Sequence, residues 1–302
     1  MKAVLAGGGG FLGAALAVEL MGHGWEVVIL TRRPQASAQC REVAWDGASL
    51  GPWTAELNGA NALVNLTGRS VNCVHTPENK RQILESRVAS VRVLGEALAR
   101  CPSPPYVWVQ SGSLALYGNP GDRLCDETAP PADDFSAQVC RQWEAAFAEA
   151  AHPAIRPVLF RIGLVLGPGG GALGPLTGLT RWFLGGTVGS GRQYVSWLHR
   201  DDMNALFLAA LAEVSFSGAY NACTPHPVTN AEFMRELRRA LGRPWSPAAP
   251  EWAVRLGAHL LLRTDADLAL TGRRCVPGRL QAQGFDFTQP HLAAALESIY
   301  RR

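Results

Sequence analysis

The sequence predicts an α/β fold in which a doubly wound parallel sheet is followed by a smaller, mostly helical region. Short apolar runs alternate with longer helical patterns through the first half of the chain, which is typical of βαβ units. Gly7, Gly10 and Gly13 lie between the first apolar run and the first helical pattern, where Rossmann-type sheets carry a phosphate-binding turn. The alternation ends near residue 165. We therefore expect a Rossmann-type sheet with a mostly helical C-terminal substrate module.

The first half of the chain contains six predicted strands, each a short run rich in apolar residues. They are Ala3–Ala6, Trp25–Leu30, Val43–Trp45, Ala62–Leu66, Tyr106–Gln110 and Ile155–Ile162. Helices are predicted between them at Phe11–Met21, Pro77–Arg100 and Ser136–Ala150. Gly22 and Gly24 mark the end of the first helix, and Pro77 suits the first turn of the second.

The second half is less regular and begins with Gly167–Gly171, which predicts a turn or a mobile loop, either a lid or a surface loop. Its predicted elements are helices around Leu176–Leu184 and Met203–Glu213, a strand at Ala219–Ala222, a helix capped by Thr229 or Asn230 and ending at Leu241, and helices near Trp252–Leu262 and His291–Tyr300. Pro244–Pro250 reads as a linker. We expect a cofactor domain at 1–166, with a late strand near 218–222 returning to it. A substrate or capping region would follow at 167–302, with a helical module from about residue 248.

Composition argues against several classes of function. The net charge is only +3, so neither nucleic acid nor an anionic membrane is an expected partner. No apolar stretch approaches the ~20 residues of a membrane span, and the N-terminal run is too short for a signal peptide. The seven cysteines are odd in number and form no Cys-x-x-Cys pair. We therefore expect no metal site, no disulfide framework and a reducing, cytoplasmic compartment.

The glycine turn predicts dinucleotide binding. Gly7 would permit the tight turn, Gly10 would let the backbone approach a pyrophosphate, and Gly13 would allow close packing of helix and strand. A β–α turn without a ligand is the simpler alternative. A P-loop is not expected, because the chain contains no Gly-Lys-Ser/Thr triplet.

The end of the second strand favours NADP over NAD. An NAD site places a carboxylate there to bind the ribose 2′-hydroxyl, whereas a 2′-phosphate attracts cations. Here the strand ends in Thr31, Arg32 and Arg33. The alternative is that both arginines are simply solvated.

With these features placed, the chain resembles the extended short-chain dehydrogenase/reductases, and more narrowly their atypical epimerase-family branch with a short C-terminal module. The resemblance covers essentially the full length. It rests on the glycine turn and on Val64–Gly68, Ile83–Val88, Trp143–Glu144, Arg161–Gly167, Trp197–Asp202, Pro227–Phe233, Arg279–Leu280 and Gly284–Phe287.

The resemblance implies an NADP-binding fold and a small-molecule substrate, with a homodimer as an open alternative. The implied cofactor-binding residues are Gly7, Gly10, Phe11, Leu12, Gly13, Thr31, Arg32, Leu66, Thr67, Gly68, Gln82, Arg87 and Val165. Thr31 and Arg32 would meet the 2′-phosphate. Residues 66–68 would pass along the adenosine, and Gln82 and Arg87 would point toward the same end. Val165 would lie near the nicotinamide. The alternatives are a surface role for Arg87 and a core role for Leu66 and Val165.

The catalytic Tyr-x-x-x-Lys pair of ordinary members is missing. The chain holds two lysines, Lys2 and Lys80, and neither follows a tyrosine at that spacing. Counting back from Trp143-Glu144 places Ser136 and Cys140 at the two positions. Neither replaces the pair, since a serine is less acidic than a phenol and a thiol carries no positive charge.

Substitute donors are Ser111, in the serine position after the fifth strand, and Tyr117, six residues later. His199 with Asp202 is a further candidate pair, and Tyr194 and Trp197 are expected as walls of the substrate pocket. Two functions follow: an NADP-dependent oxidoreductase or epimerase-like enzyme with an unconventional donor, or a non-catalytic NADP(H)-binding sensor or scaffold.

Overall fold

The structure is a computed structural model that describes residues 1–35, 39–258 and 263–301. Its strands are β1 Lys2–Ala6, β2 Glu26–Thr31, β3 Arg41–Ala44, β4 Ala62–Asn65, β5 Val107–Ser113, β6 Leu124–Cys125, β7 Arg156–Ile162, β8 Leu164–Leu166, β9 Tyr194–Val195, β10 Trp197–His199, β11 Gly218–Ala222, β12 Val228–Thr229 and β13 Arg274–Cys275. Its helices are α1 Phe11–Gly22, α2 Pro77–Ala99, α3 Phe135–Glu149, α4 Leu173–Arg181, α5 Arg200–Ala212, α6 Asn230–Ala240, α7 Glu251–Gly257, α8 Asp267–Leu270, α9 Gly278–Ala282 and α10 Leu292–Tyr300. Short 3₁₀ helices span Pro52–Leu57 and Leu114–Tyr117.

Seven of these strands form one parallel sheet in the order β11-β7-β5-β4-β1-β2-β3. The strand order reverses between β1 and β4, so a crevice opens at the carboxyl ends of these two neighbours, where open α/β sheets bind ligands. The predicted Rossmann-type fold with a helical C-terminal part is therefore confirmed.

Alternate residues of the strands supply two cores, one on each face of the sheet. One core joins β1 and β2 to α1 and α5 through residues such as Leu5, Leu16 and Phe207. The other packs α2 and α3 against the opposite face and includes Val4 and Trp143. Burial on both faces explains why these strands read as apolar runs rather than as an alternating pattern.

The C-terminal region is held to the sheet domain by small additional ladders. β13 pairs with β6, so Cys275 lies opposite Cys125, and β12 pairs with β9. The buried carboxylate of Asp202 accepts hydrogen bonds from the backbone N–H groups of Thr288 and Gln289 and from the Thr288 hydroxyl. The tail is therefore anchored at several points along its length.

Several element boundaries differ from the expected ones. β5 runs to Ser113, three residues beyond Gln110, because Ser111, Gly112 and Ser113 continue the ladder with β7. The helix expected near Trp252–Leu262 is described only as α7, and its last four residues lie outside the described ranges. Thr229, the first of the two expected caps, caps α6 in a capping box with Glu232. Among the described residues, no helix is both long and apolar enough to cross a membrane.

Candidate functional site

The three predicted glycines have different surroundings in the turn between β1 and α1. Gly7 has φ of +72°, and a Cβ there would lie 2.8 Å from Thr67 Oγ1. A Cβ on Gly13 would collide with the backbone of Gly8. At Gly10, in contrast, the nearest atom to an added Cβ would be the Gly7 carbonyl oxygen, 4.0 Å away. Gly7 and Gly13 are therefore required by close packing, whereas Gly10 borders open space.

That open space is suited to a phosphate. Gly10 is the N-cap of α1, its cap carries no side-chain hydrogen bond, and the first turn contains no acidic residue. The N–H groups of the helix N-terminus are thus available to an anion, which the helix dipole also favours. Across the crevice, Thr67 Oγ1 is buried and has no hydrogen-bond partner among the described residues. An orphaned buried hydroxyl beside an uncapped helix fits the phosphate groups of a dinucleotide.

The end of β2 carries the groups expected to select the cofactor. Thr31 is half-buried, and its Oγ1 lies 3.5 Å from the backbone nitrogen of Arg33, while Arg32 and Arg33 are exposed. A Cβ on Gly9 would lie 3.8 Å from Thr31 Oγ1, so Thr31 borders the glycine turn. A phosphate beside Thr31 would meet a hydroxyl and two exposed cations.

The Gly167–Gly171 loop packs against Phe11 at the start of α1. A Cβ on Gly170 would lie 2.6 Å from the Phe11 ring, and one on Gly171 would lie 3.1 Å from it. Val165 precedes this loop on β8 and is buried in the core. Leu12 is half-buried beside the same core. The loop is therefore seated on the ring of Phe11.

The remaining residues implied in cofactor binding either follow β4 or lie on α2. Leu66 packs on the sheet core, and Gly68 is exposed at the mouth of the crevice. Gln82 donates a hydrogen bond to Glu78 on the outer part of α2. Arg87, in contrast, points inward, where its guanidinium lies against Gly68.

A buried polar network joins the carboxyl ends of β4 and β5. The Asn65 amide donates to Gln110 Oε1 at 3.0 Å, and its Oδ1 accepts from the Thr67 N–H. The Ser111 hydroxyl donates to the Asn65 carbonyl at 2.8 Å. Because Ser111 lies within the strand and is bonded to the neighbouring strand, these contacts favour a structural role. Its catalytic assignment stays a prediction.

Tyr117 is fully buried in the 3₁₀ helix after β5. Its hydroxyl donates to Asn221 Oδ1 and accepts from Arg161, each at 2.8 Å. Arg161 is in turn held by Glu144 through bonds of 3.0 and 2.9 Å. Burial raises the pKa of Tyr117 well above its usual value, despite the adjacent guanidinium. These contacts also favour a structural role, and the catalytic assignment of Tyr117 stays a prediction.

Ser113 is a candidate that sequence reasoning missed. It ends β5, is half-buried and caps the following 3₁₀ helix by accepting from the Ala115 N–H at 3.1 Å. Its own hydroxyl hydrogen meets no acceptor among the described residues. It was missed because the strand was expected to end at Gln110, whereas β5 ends at Ser113.

Ser136 and Cys140 lie on α3, which packs against α2 and the 3₁₀ helix Leu114–Tyr117. Cys140 is buried, and the burial raises the pKa of its thiol to about 12. The thiol is therefore neutral at physiological pH and supplies neither the charge nor the acidity of the missing pair.

The remaining candidates lie in the C-terminal part. His199 accepts from the Asp201 N–H and so caps α5. Asp202 is used in anchoring the tail. Trp197 is fully buried in the hydrophobic core between β10, α6 and α10, whereas Tyr194 is half-buried beneath the guanidinium of Arg274. Of these side chains, Tyr194 alone retains the exposure that a pocket wall requires.

Comparison with family models and known proteins agrees with this geometry. Residues 3–223 match the model of the NAD dependent epimerase/dehydratase family. Residues 249–299 match a domain of unknown function, DUF1731.

Similar proteins extend over the whole chain. The epimerase family protein SDR39U1 of Bos taurus is 34% identical over 304 residues, which are 99% of each protein. The chloroplastic SDR39U1 homolog of Arabidopsis thaliana is 32% identical over 306 residues, covering 99% of this chain and 86% of that protein. The crystal structure of human epimerase family protein SDR39U1 (isoform 2) with NADPH superposes with a TM-score of 0.89 at 32% identity, and the match covers 100% of both chains.

Proposed function

Because the chain belongs to the NAD dependent epimerase/dehydratase family, we propose that it is an NADP(H)-binding oxidoreductase of the extended short-chain type. It would act on a small molecule without the usual Tyr-x-x-x-Lys pair. The observation that carries the proposal is the open space at Gly10, bordered by an uncapped helix N-terminus and the orphaned hydroxyl of Thr67. The NADPH in the similar human structure supports the same cofactor.

Each part of the cleft would have a separate role. The turn and Thr67 bind the pyrophosphate, while Thr31 and Arg32 bind the 2′-phosphate and so disfavour NAD. The bound cofactor would supply a hydride to a carbonyl carbon, or in the reverse direction accept one from an alcohol carbon. Ser113, at the end of β5, would donate the proton that the carbonyl oxygen needs when hydride arrives. A serine hydroxyl is a weak acid, so turnover would be slow.

A second function is favoured by one observation. Tyr117 is buried with a raised pKa and the lysine position holds the neutral thiol of Cys140, so no described group in the cleft has the acidity of the usual relay. A protein of this kind would bind NADP(H) as a sensor or scaffold. The seven free thiols fit a reducing compartment, and we propose the cytoplasm.

Titration of NADPH and NADH tests the cofactor assignment. We expect the wild type to bind NADPH more tightly, and Arg32→Ala to weaken NADPH binding by about 1–3 kcal/mol while NADH binding changes little. Arg100→Ala, an exposed arginine at the end of α2, is the matched control. Equal wild-type affinities for the two cofactors would contradict NADP selection.

Single-turnover oxidation of bound NADPH across a panel of carbonyl compounds separates the two functions. Oxidation that depends on Ser113 would support the enzyme. Tight NADPH binding with no oxidation by any compound would favour the sensor.

A further inference from the structure

Arg87 is a charged side chain set into the wall of the cleft. Its Nη1 donates to the carbonyl oxygens of Arg69 at 3.0 Å and of Ile83 at 2.9 Å. Gly68 packs over the guanidinium, since a Cβ there would lie 3.1 Å from Cζ, 3.2 Å from Nη2 and 3.4 Å from Nε. Nη1 is thus held by backbone carbonyls, whereas Nε and Nη2 make no hydrogen bond to the residues that the structure describes.

The guanidinium of Arg87 also packs against α3. Its Cζ is 5.1 Å from the centre of the Trp143 ring, in cation–π geometry. Trp143 is one turn after Cys140 on α3, and residues three apart share a helix face. Arg87 therefore lies beside the position where the usual enzymes carry their lysine. This proximity affects the thiol of Cys140. The positive charge of Arg87 lowers the pKa of Cys140, although the larger effect of burial raises it.

This positive charge has no carboxylate partner. Among the residues that the structure describes, no Asp or Glu oxygen lies within 4.0 Å of Arg87. Burial lowers the pKa of the guanidinium, although arginine remains charged at any physiological pH. A largely desolvated cation held by two carbonyl dipoles and one aromatic ring is costly unless a ligand completes its hydrogen bonds.

We propose that Arg87, reaching in from α2, replaces the missing lysine of α3 and positions the ribose next to the nicotinamide. This inference rests on the proposed NADP(H) binding. The free Nε and Nη2 edge would donate to the ribose hydroxyls, as an ammonium from position 140 would otherwise do. Arg87 is thus a positioning residue at the nicotinamide half of the cofactor, and not at the adenosine end as the family resemblance implies.

Fragments of the cofactor distinguish the two ends. NADPH and 2′-phospho-ADP-ribose both contain the second ribose, whereas 2′-phosphoadenosine 5′-diphosphate ends before it. For Arg87→Met we expect calorimetry to show a loss of about tenfold to a hundredfold for the first two ligands and less than about threefold for the third. Arg92→Met, at an exposed position on the same helix, should change none of the three.

A second substitution tests the replacement itself. In the double variant R87M/C140K, a lysine on α3 should recover most of the lost affinity for NADPH and for 2′-phospho-ADP-ribose. Melting temperatures establish that each variant is folded. If Arg87→Met does not fold, Arg87→Lys serves in its place, with a smaller loss confined to the same two ligands.

The outcomes separate this inference from the function on which it rests. Equal losses for all three ligands would place Arg87 at the diphosphate or adenosine and overturn the proposal. Unchanged NADPH affinity in folded Arg87→Met would overturn it as well. A wild type that binds none of the three ligands would overturn the proposed function and this inference with it.

Discussion

Gly10 and Gly13 lie three residues apart in one turn, but substitutions at the two positions should have different effects. One should abolish cofactor binding, and the other should lower the stability of the fold. Gly10 borders open space, so Gly10→Val should leave the protein folded and abolish dinucleotide binding by filling the place of the pyrophosphate. Gly13 faces the Gly8 backbone, so Gly13→Ala should lower stability by about 1–3 kcal/mol, the scale of an overpacked core.

Thermal melting together with NADPH calorimetry checks both substitutions. Gly174→Ala is the control: it should leave NADPH affinity unchanged and should not lower stability, because a Cβ at Gly174 would meet no atom within 4 Å and alanine favours the helix α4. Normal NADPH binding by Gly10→Val would contradict this prediction and would indicate that the glycine turn has only a structural role.

Tyr117 and Ser113 should also respond differently. Tyr117→Phe removes a hydroxyl that is bonded to Asn221 and Arg161 inside the protein, so stability should fall by about 1–3 kcal/mol with little change in NADPH affinity. Ser113→Ala removes a helix cap, so it should lower stability by about 0.5–2 kcal/mol, and it should slow the chemical step by about 10²–10⁴-fold. Single-turnover oxidation of bound NADPH, with chemical denaturation, measures the two effects. Loss of turnover in a stable Tyr117→Phe would instead identify Tyr117 as the acid.

The sequence was sufficient for the parts of the site that depend on local spacing. Glycines at fixed intervals and the absence of a carboxylate after Thr31 are visible without coordinates. The direction of Arg87 was not, because the face of α2 that meets Trp143 is set by packing between two helices far apart in the chain. Ser113 was missed for a different reason: serine and glycine are weak strand formers, and only pairing with β7 extends the strand.

At the level of single elements, α6 shows the strongest local signal. Thr229 and Glu232 form a reciprocal capping box, and hydrogen bonds from the Thr229 N–H and hydroxyl lower the pKa of Glu232 below its usual value of 4.5. Because the folded-state pKa is the lower one, the contribution to stability is complete above the unfolded pKa. It is lost as the pH falls through the folded pKa.

We therefore expect the stability difference between wild type and Glu232→Gln to be largest near about pH 7 and to shrink toward about pH 3. Urea unfolding at the two pH values measures it. Glu149→Gln, an exposed carboxylate at the end of α3, should leave the free energy of unfolding within about 0.5 kcal/mol of the wild-type value at both. A difference that grows on acidification would contradict the assigned cap.

Elements of two residues were invisible in the sequence. β6 and β13 consist of Leu124–Cys125 and Arg274–Cys275, too short to show a period. They form because the C-terminal tail returns to the sheet domain, where β13 pairs with β6. The long elements, such as α2 and β7, were predicted to within about two residues, since each carries a complete face of apolar side chains.

At the level of the whole molecule, Arg279 joins the tail to the edge of the sheet. Its guanidinium donates to the carbonyls of Ala219 at 2.7 Å and Ser217 at 2.9 Å, and lies 4.1 Å from the ring centre of Tyr220. Arg279→Met would leave these carbonyls unpaired and should reduce the free energy of unfolding by about 1–3 kcal/mol.

Because the tail is also anchored at Asp202 and β6, unfolding of Arg279→Met should remain a single transition. Far-UV circular dichroism and tryptophan fluorescence should give coincident curves. Arg141→Met, at a half-buried position on α3, is the control. Separate transitions would instead indicate a C-terminal module that unfolds alone.

The family and the fold were predicted correctly because both rest on features spread over the full length. The domain division at residue 166 stays a prediction. The contacts between the C-terminal tail and the sheet domain could not be predicted from the sequence. A contact such as that of Arg279 with Ala219 joins residues far apart in the chain, and no local pattern indicates that they are close.

The seating of Gly167–Gly171 on Phe11 has a consequence for protein engineering. A glycine-rich surface loop is usually chosen as a permissive place for an epitope tag, a fluorophore or a rigidifying substitution. Here any added side chain at Gly170 would press on the aromatic ring that opens α1. A label at Gly170 would therefore disturb the nucleotide turn, and a safer attachment point is the exposed Gly174, where an added side chain would begin in open space.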